Sequence, residues 1–72
     1  MKEYERLKQL RDEHGYSVED IAKALNMSPR RVRDWESGRI NASFKEYIAL
    51  AKLYNLSLDY ILGLIDTPLR LE

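Results

Sequence analysis

The 72-residue chain has no cysteine, two prolines, three glycines, one tryptophan and one histidine. Without cysteine there are no disulfide staples and no thiolate metal sites, and a reducing compartment is the simpler setting. The lone histidine, His14 beside Glu13, has no companion ligands in its neighbourhood, so neither a metal centre nor acid–base catalysis finds a constellation. No apolar run approaches the length that crosses a bilayer, and Met1 to Leu10 is a charged amphipathic stretch without the apolar segment of a signal peptide. The chain also lacks an excess of either charge, since twelve basic and twelve acidic residues cancel. A strongly basic domain would have announced a nucleic-acid partner, whereas a neutral one binds DNA nonspecifically only weakly. A second independent domain does not fit in this length, and the single core must be efficient because small folds bury a lower fraction of their surface.

The charge that is present is unevenly placed. Residues 1–20 carry a net of −2, whereas residues 28–45 hold Arg30, Arg31, Arg33, Arg39 and Lys45 against Asp34 and Glu36, a net of +3. Hydrophobic spacing resolves the chain into five helices. Tyr4, Leu7, Leu10 and the edge residue Arg11 recur at helical spacing over 2–13, with Gly15 suited to a left-handed stop. Ser17 caps a second helix through an imperfect capping box with Asp20, and Val18, Ile21, Ala22 and Leu25 form its apolar side. Asn26 and Met27 make a short turn before Ser28 caps a third helix with Pro29 at its first position. Val32 and Trp35 are the apolar positions of that helix, and their i, i+3 spacing assigns Trp35 to the core rather than to base stacking. The loop from Ser37 to Ala42 leads to Ser43 and Glu46, a regular capping box, and then to a buried stripe of Phe44, Tyr47, Ile48, Ala51 and Leu50 or Tyr54 ending near Tyr54. Ser57 opens a fifth helix anchored by Leu58, Ile61 and Leu62 and closed at Gly63. The five tyrosines are too scattered for a stacking platform and read as anchors with hydroxyls near solvent.

Two short amphipathic helices joined by a tight turn, the second with three arginines in its first two turns, are suited to a DNA groove. Arg30 and Arg31 can each pair with guanine O6 and N7, while Asp34 can accept from cytosine N4, repel a phosphate or orient a neighbouring arginine. Arg39 and Lys45 are phosphate candidates beside the free N–H groups of the Ser43 helix start, although surface solvation with Glu46 close to Lys45 explains them as well. The carboxylates are distributed over caps and surfaces, so no catalytic pocket, cofactor or small-molecule effector site is implied.

Residues 7–63 resemble the lambda-repressor-like, Cro/C1-type helix-turn-helix family of phage and bacterial regulators. The resemblance rests on Leu7-Lys8-Gln9-Leu10-Arg11, Gly15, Ile21-Ala22, Ser28, Val32, Trp35-Glu36-Ser37-Gly38 and Leu56-Ser57-Leu58-Asp59-Tyr60-Ile61-Leu62-Gly63. It implies an all-α, compact five-helix domain over residues 1–63, with helices 2 and 3 as the helix-turn-helix, a cytoplasmic setting, and sequence-specific binding of double-stranded DNA. It also implies that Pro29, Arg30, Arg31 and Asp34 face base edges, and that Ser28, Arg33, Arg39, Asn41, Ser43, Phe44 and Lys45 run along the phosphate backbone. Arg11 and Glu36 match a structural pair between helix 1 and the end of helix 3. Two positions depart from the family pattern: Val18 stands where a glutamine often braces a phosphate, and Pro29 replaces a polar side chain, which shifts readout from amides toward arginines. The apolar tail, residues 64–72, is expected to dimerise through Ile65, Leu69 and Leu71, so that a homodimer represses from an inverted-repeat operator. The competing reading is a protein-interaction module or antitoxin-like component on the same fold.

Overall fold

The computed structural model describes residues 2–65 and 67. Its elements are α1 (Glu3–Glu13), α2 (Val18–Leu25), α3 (Pro29–Ser37), α4 (Phe44–Tyr54) and α5 (Leu58–Ile61). A serine stands at each start from α2 onward. Ser17, Ser28, Ser43 and Ser57 accept from the backbone N–H three residues ahead, at 3.0, 3.3, 3.2 and 3.3 Å. These bonds satisfy donors that the helix itself leaves free. The Ser17–Asp20 box closes in both directions despite its aspartate, because Asp20 Oδ2 accepts from the Ser17 N–H at 2.9 Å.

Left-handed residues end the helices. Asn26 after α2 and Asn55 after α4 take φ of 57° and 55°, and Gly38 after α3 takes 80°. Gly38 is the most constrained, since a Cβ added there would lie 3.0 Å from Cε1 of Tyr4. Gly38→Ala therefore combines the left-handed penalty of an L side chain with displacement of the Tyr4 ring, and should cost about 1–2 kcal/mol in urea unfolding.

Helix α3 packs against both α1 and α2, while α5 packs against α4 and α1. The core between them is built from Leu7 and Leu10, Ile21 and Ala22, Val32 and Trp35, Leu50, Ala51 and Tyr54, and Tyr60 and Ile61. Ile61 is fully buried, and both Leu50 and Tyr54 belong to the α4 stripe. Leu58 and Leu62 only lean against the core from its edge.

Two expectations from the sequence are corrected. Phe44 is 68% exposed rather than part of the buried stripe. It occupies the first position of α4, where its Cβ tilts back toward the helix start. Tyr47, Tyr54 and Tyr60 are buried, and burial pushes the Tyr54 phenol well above the ordinary tyrosine range. Tyr54 also gathers His14 and Tyr16, with ring centroids 4.5 and 6.2 Å away, so these aromatics are less scattered than their spacing suggested. Ile65 is half-buried and packs on this chain's own core. Leu69 and Leu71 lie outside the described residues.

Arg6 was legible only as a charge, yet it is 3% exposed. Its guanidinium lies 3.9 Å from the centre of the Tyr60 ring, and Nη1 donates to the Tyr60 carbonyl at 2.8 Å. The cation thereby ties α1 to the end of α5 through a cation–π contact and a charge-assisted hydrogen bond. Its position four residues before Leu10 is the sequence signal that places it on the buried face.

Candidate nucleic-acid interface

The α2–turn–α3 unit is fixed at its turn by the Met27 N–H donating to the Ala22 carbonyl at 2.9 Å, which the left-handed Asn26 makes possible. Pro29 occupies the first position of α3, where its missing N–H costs no helical bond. Val32 and Trp35, each 1% exposed, hold the helix from behind. Arg30 and Arg33 stay exposed, and Pro29, Arg31 and Asp34 are partly covered. Downstream, Arg39, Asn41, Ser43, Phe44 and Lys45 are all exposed. The 28–45 segment thus carries its basic excess on the surface.

Its arginines are not equivalent. Arg33 Nη2 donates to Glu19 Oε2 of α2 at 2.6 Å, with both side chains more than half exposed, so this pair adds little stability. Arg31 is held on two atoms: Nε donates to Glu46 Oε2 at 2.6 Å and Nη2 to Glu46 Oε1 at 3.0 Å. Glu46 is anchored in turn, because its Oε1 accepts from the Ser43 N–H at 2.7 Å. The hydrogen bond from Arg31 keeps the Glu46 carboxyl below the ordinary carboxylate range. With its folded-state value depressed, the pair is intact at neutral pH and is lost only as pH falls through that lowered value. Among the described residues, Arg30, Arg39 and Lys45 make no ion pair.

From the sequence, Asp34 is the carboxylate that can orient an arginine, while Glu46 is a cap close to Lys45. In the structure the carboxylate holding an α3 arginine comes from α4. The Asp34 carbonyl instead receives the Arg39 N–H at 3.0 Å and the Ser37 hydroxyl at 3.1 Å, closing the end of α3. No local pattern reveals a contact between residues fifteen positions apart.

Behind the interface, Arg11 joins α1 to α3. Its Nε and Nη2 donate to the two Glu36 carboxylate oxygens at 2.7 and 2.9 Å, and its Nη1 donates to the Tyr16 carbonyl at 3.0 Å. The Glu36 hydrogen bond pushes the Arg11 guanidinium above its ordinary range. Among the described residues there is no cluster of His, Asp and Glu that could hold a metal ion, and no helix is long and apolar enough to cross a membrane.

Comparison with known proteins agrees with this architecture. The model of the helix-turn-helix family matches residues 7–61. The chain is 34% identical over 64 residues to the uncharacterized HTH-type transcriptional regulator YobD of Bacillus subtilis, covering 89% of this chain and 57% of that protein. It is 39% identical over 62 residues to the HTH-type transcriptional regulator DdrOP3 of Deinococcus deserti, covering 86% and 48%. A crystal structure of a transcriptional regulator from Listeria innocua superposes with a TM-score of 0.83 at 33% identity, covering 89% of this chain and 60% of that one. The chain spans about half the length of the curated relatives it matches. With the matched segment running from α1 to the end of α5, the chain belongs to the helix-turn-helix family, as a domain of the Cro/C1 type.

Proposed function

We propose that this chain binds double-stranded DNA sequence-specifically and regulates transcription, as a repressor on an inverted-repeat operator. One observation carries the reading: α3 is anchored from behind by Val32 and Trp35 while Arg30, Arg39 and Lys45 are exposed without an ion pair among the described residues. A rigid helix with a basic surface meets the requirement for entering a major groove. In this reading Pro29, Arg30, Arg31 and Asp34 meet base edges, and Ser28, Arg33, Arg39, Asn41, Ser43, Phe44 and Lys45 follow the phosphates. The chain acts as a homodimer through α5 and the tail, with half-site centres about 34–36 Å apart. Leu64, 72% exposed beside the half-buried Ile65, supports an apolar contact there.

Selection from a random duplex library, repeated across salt concentrations, tests the reading. The expected product is an inverted repeat whose affinity falls steeply with salt. Arg31→Ala should relax preference at one position of each half-site by about 1–3 kcal/mol, whereas Lys45→Ala should weaken all duplexes alike and lower the salt slope by about 1. Equal loss of specific and random binding in Arg31→Ala would reject its assignment to base readout. A chain that enriches no duplex and instead captures a protein partner would favour the interaction-module reading.

A further inference from the structure

We infer that Glu46 is a positioning residue for base readout: it grips one edge of the Arg31 guanidinium and leaves the opposite edge set for a guanine. The inference rests on the DNA-binding reading above and specifies how one of its residues works. A guanidinium carries five N–H donors in a fixed plane. Glu46 takes one from Nε and one from Nη2, at 2.6 and 3.0 Å. The three that remain, two on Nη1 and one on Nη2, include the parallel end-on pair that matches the O6 and N7 acceptors of guanine. An unrestrained arginine must give up rotamer freedom on binding, so one already fixed in its plane binds and discriminates at a smaller entropic cost.

Glu46 is suited to this role because it is itself held. Its side chain is 15% exposed against 41% for Arg31, and the Ser43 N–H binds the same oxygen that receives Arg31 Nη2. The contact therefore links α3 to the start of α4, where Ser43 and Lys45 are the phosphate candidates. A shift of the backbone-tracking segment would move the Arg31 plane with it. A solvent-facing ion pair would instead join two exposed side chains, as Arg33 and Glu19 do.

Glu46→Asp separates positioning from capping and from charge. Aspartate closes the equivalent box in α2, where Asp20 and Ser17 bond reciprocally at 2.9 and 3.0 Å. At position 46 it keeps the cap and the negative charge but withdraws the carboxylate by one methylene. The experiment uses the full chain and the duplex selected by it, with the guanine lost from preference in Arg31→Ala replaced by 7-deazaguanine, which removes N7. The wild type should lose affinity about ten-fold on that replacement. Glu46→Asp should lose less than about two-fold, while keeping its random-duplex affinity and thermal melting, and Arg31→Ala added to it should change discrimination no further. Glu46→Gln keeps length and cap but turns one acceptor into a donor, so it should lose discrimination too while its random-duplex affinity rises.

Full discrimination retained in both Glu46 variants would overturn the inference, as would variants that bind the guanine duplex better than the wild type, because the carboxylate would then be sequestering Arg31. An Arg31→Ala profile without loss of any guanine also overturns it. If the wild type selects no duplex at all, the DNA-binding reading itself fails, an outcome distinct from selection that ignores Glu46.

Discussion

Trp35→Ala should leave about half of the population unfolded at room temperature. The side chain is 1% exposed, and the void it borders with Leu7, Ile21, Val32, Leu50 and Tyr54 is only about 10 Å³. The surroundings thus have little slack with which to absorb the change. Truncating a buried tryptophan costs about 3–5 kcal/mol, and a single core of this size rarely supplies more than about 3–5 kcal/mol in total. The two magnitudes are equal, so the loss of one side chain removes the margin. Trp35→Phe is the discriminating partner. The indole N–H has no acceptor among the described residues, so a phenyl ring gives up packing but no hydrogen bond, and should cost about 1–2 kcal/mol. Far-ultraviolet circular dichroism in urea reads both. An alanine variant within about 1 kcal/mol of the wild type would contradict the placement of Trp35 at the centre of the fold.

Glu36→Ala should be strongly destabilising, at about 2–4 kcal/mol. Arg11 and Glu36 side chains are only 14% and 9% exposed, so removing the carboxylate strands a largely desolvated guanidinium. The cost stays below the extreme because Arg11 retains the Tyr16 carbonyl at 3.0 Å and reaches the Asp12 carboxylate at 3.7 Å. The pair need not be a large net stabiliser for its breakage to hurt, since desolvation offsets much of the attraction while both partners are present. Arg11→Met combined with Glu36→Leu should therefore recover most of the loss. A double-mutant cycle in urea measures this, and additive single and double effects would show that the two groups are not coupled. Because Arg11 lies on α1 and Glu36 near the end of α3, Glu36→Ala should also weaken duplex binding by loosening α3 on its support.

The parts of this fold that could be read from the sequence are those decided locally. Ser17, Ser28, Ser43 and Ser57 mark helix starts because a cap bonds only three residues ahead, and Asn26 and Asn55 mark stops because few other residues tolerate their backbone. Val32 and Trp35 were assigned inward by spacing alone. What escaped is decided by how helices dock. Arg6 bonds Tyr60 across 54 positions and Arg31 bonds Glu46 across fifteen, distances at which periodicity carries no information. Phe44 shows the opposite failure: its spacing fits the buried stripe, yet at the first position of α4 its side chain stays in solvent. The candidate site was thus legible as a set of positions, whereas the pairing that sorts its arginines into held and unheld was not.

The central claim is that the surface from Ser28 to Lys45, braced by Val32 and Trp35, docks on duplex DNA. Amide chemical-shift mapping of the labelled chain during titration with its selected duplex tests it most directly. The largest changes should fall on Ser28 to Asp34 and on Arg39 to Lys45, with the α1 surface around Lys8 and Asp12 unmoved. Changes confined to the α1 surface, or to Leu64, would contradict the account.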